Sequence, residues 1–164
     1  MAGFQRILVA TDGSPTCDGA IDRAIELSAC LDAELLILSV APGSEVGIAD
    51  LDSASDPLGA AEEATMAVAV GRAQPSIDDA IAKATTAARR CAEAGVAARP
   101  IVWQGPTGEA IIEAATMEDA DLIVVGSHPR GGMGRLLMGS VSDHVVRHAA
   151  IPVMVVRPET RQAG

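Results

Sequence analysis

The sequence predicts an α/β fold, a single domain with a five-stranded, mostly parallel sheet and helices on both faces. Three observations predict it. Short runs of Val, Ile, Leu and Ala alternate with longer stretches in which apolar residues return at helical spacing. Aromatic residues are almost absent, with Phe4 and Trp103 standing alone, so the core must be built from aliphatic side chains. That composition suits helices packed on a buried parallel sheet better than an aromatic-rich sandwich. The length of 164 residues supports one sizeable core and is too short for two ordinary domains.

Each element can be read in order. Arg6 to Thr11 is a buried strand. Ser14 then serves as an N-cap, with Pro15 at the first helical position, where its missing N–H costs nothing. Ile21, Ala24, Ile25, Ser28 and Leu31 recur at helical spacing, and Glu34 to Val40 is the second strand. From 41 to 75 the pattern weakens and Gly, Ser, Asp and Pro accumulate. Glu45, Asp50, Asp52, Asp56, Glu62 and Glu63 are set there against Arg72 alone, so half of the formal net charge of −10 lies in this stretch. It reads as a variable acidic insertion, longer than an ordinary connection, with one helix near Ala60 to Val70. Ser76 caps a helix over Ile77 to Ala94 whose inward face carries Ile77, Ala80, Ile81, Ala84, Ala88 and Cys91, and Gly95 closes it. Val96 to Val102 is the third strand. Thr107 to Met117 is a helix with Ile111, Ile112 and Ala115 inward. Asp121 to Val125 is the fourth strand, Ser140 to Ala149 the last helix, and Pro152 to Val156 the fifth strand.

Charge and composition exclude several functions. A surface with net charge −10 repels polyanions, so no nucleic-acid partner is expected. No apolar run reaches the roughly 18–20 residues of a membrane span. Met1 to Arg6 lacks signal-peptide architecture, so a cytoplasmic location and no membrane contact are expected. Cys17, Cys30 and Cys91 are widely spaced and odd in number; they read as small apolar helix residues rather than a disulfide framework.

In open α/β sheets ligands bind beyond the carboxyl ends of the strands, at the point where the strand order reverses. That directs attention to the loop from Thr11 to Ser14 after the first strand, Val40 at the end of the second, and the loop from Gly126 to Ser142 after the fourth. This loop is rich in glycine and ends at a helix start. Gly139 and Ser140 combine free backbone N–H groups, a hydroxyl and the positive helix end, which together favour phosphate. Arg130 and Arg135 add positive charge to an acidic chain. No GxxxxGK[ST] loop and no GxGxxG fingerprint occurs.

Three segments resemble the universal stress protein family. They are Ala10-Thr11-Asp12-Gly13-Ser14, Ala120 to Ser127 (ADLIVVGS), and Leu136 to Ser142 (LLMGSVS) followed by Ile151 to Val156 (IPVMVV). The resemblance spans nearly the whole chain except the stretch from 41 to 75. It implies a Rossmann-like fold of the adenine nucleotide alpha hydrolase-like type. The ATP-binding branch carries Gly-x2-Gly-x9-Gly-[Ser/Thr]; here Gly126, Gly139 and Ser140 match, and Pro129 replaces the middle glycine. Proline offers no N–H to a phosphate, which makes the terminal phosphate the weakest part of the expected grip.

The resemblance further implies a set of roles. Asp12 lies beside the nucleotide with Ala10 and Thr11. Val40 presents its backbone to adenine. Gly126 lies near the ribose, and Val125 before it and His128 and Arg130 after it are counted among the binding residues. Gly139, Ser140, Val141 and Ser142 cradle phosphates. The implied ligand is ATP, AMP or cyclic AMP, with Mg or Mn as an accompanying ion for ATP. The implied function is a stress-response or signalling module with a protein partner of unknown identity, and a homodimer formed through the last strand. Catalysis amounts at most to slow ATP hydrolysis or autophosphorylation, since no catalytic base stands out. A second function class is a degenerate pocket in a partner-binding scaffold that takes no nucleotide.

Two further patterns carry less. His144 and His148 share a helix face, but a metal site would need more ligands, and a helix-end histidine is explained by the dipole. Ser140 or Ser142 as a hydrolase nucleophile lacks a GxSxG elbow, and a serine at a helix start is explained as a cap.

Overall fold

The structure, a computed structural model, describes residues 3–43, 76–127 and 139–158. Within them nine elements follow in order: β1 (Arg6–Ala10), α1 (Pro15–Leu31), β2 (Glu34–Ala41), α2 (Ile77–Glu93), β3 (Ala98–Gln104), α3 (Thr107–Met117), β4 (Leu122–Gly126), α4 (Ser140–His148) and β5 (Val153–Val156). The five strands form one sheet in the order β3-β2-β1-β4-β5. Every recorded pairing is parallel. The helix expected near Ala60 to Val70, and most of the acidic stretch, lie outside the described residues.

Continuously apolar strands suit a sheet covered on both faces, because alternate side chains enter two different cores. Ile7, Val9, Leu35, Ile37, Leu122 and Val124 pack with α1 and α2, around Ala20, Ile21, Ala24 and Cys91. Leu8, Leu36, Leu38, Ile123 and Val125 pack on the other side with Ile111, Ala114 and Ala115 of α3 and Val145 of α4.

Local chemistry sets the helix ends. Ser76 and Asp79 form a reciprocal capping box: Asp79 N–H donates to Ser76 Oγ at 3.2 Å and Ser76 N–H to Asp79 Oδ2 at 3.0 Å. Ser14 begins α1 with extended backbone, yet its side chain makes no capping bond; its carbonyl accepts from Cys17 N–H at 3.0 Å. Gly139, not Ser140, is the N-cap of α4.

Several expectations shift. The third strand starts at Ala98 rather than Val96, because Gly95 takes φ +78° and Val96 N–H bonds back to Cys91 at 3.0 Å to close α2. Asp121 lies before β4, where its carboxylate accepts the N–H groups of Gln5 at 2.8 Å and Arg6 at 3.2 Å. Ile77 and Ile81, expected inward, are each 48% exposed. The buried stripe of α2 is Ala80, Ala84, Ala87, Ala88 and Cys91. Ile77 shares that sector but sits in the first turn, and Ile81 lies at its edge. In α3, Ala114 joins the buried face and Ile112 is only partly covered.

The contact between α3 and α4 depends on one missing side chain. A Cβ at Gly108 would lie 2.7 Å from His144 Cδ2 and 2.9 Å from its Cγ. Overpacking of this kind outweighs the gain in helix propensity, so Gly108→Ala is expected to destabilise by roughly 1–2 kcal/mol. Urea unfolding measures it. In a His144→Ala background, which removes the ring but keeps the Cβ at 3.1 Å, the same change should cost clearly less, and an undiminished cost there would place the strain elsewhere.

Candidate functional site

The strand order runs outward from β1 through β2 to β3, then returns to β1's other side with β4 and β5. The reversal therefore lies between β1 and β4, which pair through Ile7 with Leu122, Leu8 with Ile123 and Val9 with Val124. Their carboxyl ends carry Ala10 and Thr11 on one side and Val125 and Gly126 on the other. A crevice at such a reversal is where this class of sheet receives ligands.

The turn after β1 is pinned by its own side chains. Thr11 Oγ1 accepts from Gly13 N–H at 3.1 Å, and Asp12 Oδ1 accepts from Ser14 N–H at 2.8 Å. Gly13 takes φ +76°, a conformation that other residues adopt only with strain. Thr11 is buried and Asp12 exposed. Thr11 N–H donates to Leu38 at 2.8 Å, which fixes the turn beside the end of β2.

Gly126 ends β4 against the first turn of α1. A Cβ there would lie 3.1 Å from the Thr16 carbonyl oxygen, so the position tolerates little beyond hydrogen. Ser127 N–H then donates to Val156 at 2.9 Å and holds the chain against β5 as it leaves the sheet.

The last helix, α4, begins at Ser140. Its first backbone bond runs from Asp143 N–H to Gly139 at 2.9 Å. The N–H groups of Ser140, Val141 and Ser142 precede it and have no acceptor within the helix. Ser140 is exposed, whereas Ser142 is 1% exposed and its hydroxyl donates to the Gly139 carbonyl at 2.9 Å. Ser142 thus braces the turn. Asp143 in the same turn forms an exposed i,i+4 ion pair with Arg147 Nε at 2.8 Å.

Four of the residues expected at the site belong to one apolar cluster, three of them as its partly buried rim. Ala10, Val40 and Val141 pack partly buried on the cluster that contains Val125, on the α3 and α4 face. Trp103 joins them, in register with Val40 and with its indole N–H donating to Glu113 Oε2 at 3.1 Å. Sequence reading did not select Trp103; its standing as the chain's single tryptophan near a strand end was the available signal. His128, Arg130 and Pro129 lie outside the described residues.

Other polar groups have local explanations. The His144 and His148 rings stack at 4.3 Å, and His148 Nδ1 lies 2.8 Å from the His144 carbonyl oxygen. Among the described residues no cluster of three or more His, Cys, Asp or Glu side chains could hold a metal ion, and no helix is long and apolar enough to cross a membrane.

Cys17 and Cys91 are buried as expected, but Cys30 is exposed. Burial pushes the Cys17 thiol up to about 11, with the Asp12 carboxylate also raising it, and burial raises Cys91 too. Thiol alkylation at pH 8 is therefore expected to label Cys30 alone in the native chain and all three after unfolding; fast native labelling of Cys17 would contradict its burial. The raised Cys17 value also has a stability consequence. Its contribution is complete below about pH 9, where the thiol is protonated in both states, and is lost as pH rises through about 11.

Comparison with known proteins adds to this geometry. A family model described as "Universal stress protein family" matches residues 3–157. Universal stress protein YxiE of Bacillus subtilis is 31% identical over 155 residues, covering 94% of this chain and 99% of its own. A solved universal stress protein in complex with cAMP aligns with TM-score 0.62 at 24% identity, covering 95% of this chain and 98% of its own. The Archaeoglobus fulgidus universal stress protein in complex with dAMP aligns at 0.59 and 17% identity, covering 93% and 97%. At these identities the two structures are alike in fold.

Proposed function

The chain belongs to the universal stress protein family, and from that premise we propose that it binds an adenine nucleotide in the crevice between β1, β4 and α4. The observation that carries the proposal is the reversal of strand order between β1 and β4, in a chain that also supplies two suitable surfaces. One is the apolar rim of Ala10, Val40 and Val141; the other is the start of α4 at Gly139 and Ser140. A base needs an apolar seat with a few polar groups, and a phosphate needs unpaired N–H groups at a positive helix end. That family relatives bind cAMP and dAMP supports the same ligand class.

In this reading adenine rests at Val40, Asp12 lies beside the nucleotide with Ala10, Thr11 and Val125, and Gly126 approaches the ribose. Gly139 to Ser142 meet the phosphates, while His128 and Arg130 add contacts from the loop. ATP, AMP and cyclic AMP are the ligands to compare, with Mg or Mn as the ion that would accompany ATP. The role proposed is binding within a stress-response or signalling module that acts through a protein partner. β5 lies at the sheet edge with its valines and methionine only half-buried, which supports pairing with a second copy.

Trp103 makes the test direct, because the single tryptophan lies beside Val40. Titration with ATP, AMP and cyclic AMP should change its fluorescence saturably, with matching heats by calorimetry. Denatured protein should release any nucleotide that co-purifies. Sedimentation of the same preparation should give twice the chain mass, and a concentration-independent single-chain mass would remove the dimer. Neither released nucleotide nor a response to any of the three would favour the second reading, a scaffold with a degenerate pocket. Pro129, standing where the family motif has glycine, is what supports that alternative.

A further inference from the structure

A cleft of about 330 Å³ opens between α1 and α2, on the opposite face of the sheet from the apolar rim. Its floor is apolar, formed by Ile21 and Ala87 of the α1 and α2 core. Its mouth is charged. Arg90 lies there and is satisfied by two carboxylates, donating to Asp18 Oδ1 at 3.0 Å and to Asp22.

Lys83 is different. It is the only lysine in the chain, and among the described residues its ammonium makes no ion pair or hydrogen bond. Its stem is nonetheless held in place. A Cβ at Gly13 would lie 3.2 Å from Lys83 Cγ and 3.5 Å from Cδ and Cε, so the stem lies against the glycine of the turn after β1. A long side chain already laid on a surface loses less freedom when its charge is engaged. The hydroxyl of Thr86 lies one turn further along α2 in the same lining.

We propose that this cleft is a second ligand site, for a small organic oxyanion whose apolar body rests on Ile21 and Ala87 and whose charge meets Lys83. An apolar floor with a hydroxyl, the Asp18–Arg90 ion pair and one cation unpaired among the described residues has the composition of a small-molecule pocket, and its volume lies at the lower end of that range. An ammonium acts as a point charge and accepts carboxylate or phosphate alike. The cleft shares Thr11 and Gly13 with the turn beside the nucleotide crevice, but the inference does not depend on a nucleotide being bound.

The single lysine allows a specific test. The full chain labelled with ¹³C,¹⁵N-lysine gives one set of lysine side-chain signals. It is titrated with phenyl phosphate and with hexanoate at constant ionic strength, with chloride as reference. A saturable shift of the Lys83 Cε signal with either compound supports the site, and which compound is stronger names its head group. Lys83→Gln should abolish binding of the same compound as measured by calorimetry. A linear drift equal to that of chloride with both compounds overturns the proposal. A Lys83 shift produced by ATP or AMP but by neither probe also overturns it, assigning the lysine to the nucleotide instead.

Discussion

Exchanging Ser140 for aspartate is expected to weaken nucleotide binding at least about tenfold while leaving the fold as stable as before, or slightly more so. Ser140 is the exposed first residue of α4, next to the N–H groups of Val141 and Ser142. A carboxylate at that position interacts favourably with the helix end, by about 0.3–1 kcal/mol. It also occupies the place proposed for the phosphate and repels it. At contact distance and an effective dielectric near 20 that repulsion is about 4 kcal/mol, so a loss of at least about tenfold in affinity is a conservative expectation. Calorimetry with AMP and ATP reads the binding, and urea unfolding reads the stability. Adenosine, which has no phosphate, should bind the variant as it binds the parent. Unchanged AMP affinity in a folded Ser140→Asp variant would show that the phosphate does not meet α4.

Leu8→Ala should be the costliest single truncation in stability. Leu8 is fully buried in the central strand, in register with Leu36 on one side and Ile123 on the other, and packs toward α3 and α4. Deleting its side chain leaves a cavity that a sheet covered on both faces cannot collapse to fill. The expected loss is about 2–5 kcal/mol. That is a large fraction of the roughly 5–15 kcal/mol that stabilises an ordinary domain. The urea midpoint should fall with an unchanged slope. Val146→Ala, at a position 44% exposed, should stay within about 0.5 kcal/mol and serves as the contrast. A Leu8→Ala cost near that of Val146→Ala would mean that the core around β1 is not closely packed.

Much of the fold was legible because it is written in short-range periodicity. The apolar runs of β1, β2 and β4 are continuous because each strand is buried on both faces, that of β5 because its alternate residues pack partly buried on the two clusters, and the helices between them carry their own start signals at Pro15 and Ser76. Gly126 and Gly139-Ser140 could be selected because a glycine after a buried strand and a serine at a helix start have local meaning. The inward face of α2 was misread at Ile77 and Ile81 for the converse reason. Periodicity gives a sector but not how far along the helix the sheet reaches, and alanines filled the positions actually covered. The third strand began late because residues 94–96 were needed to close α2, a demand of the cap rather than of apolar character.

What the sequence determined by itself is therefore the set of elements, their two-sided burial, the family and the residues that flank the expected crevice. The tertiary structure alone decided which distant residues meet. It set the strand order that brings the turn of Thr11 to Ser14 to the end of β4, and the register that puts Trp103 beside Val40. It also set the helix contact that requires a glycine at 108 and the placing of Lys83 on Gly13, seventy positions away in the chain. The physical reason is that a local pattern constrains only neighbours within a turn or a strand. A contact across the sheet depends on the order and stagger in which whole elements pack, and one residue's chemistry does not specify these.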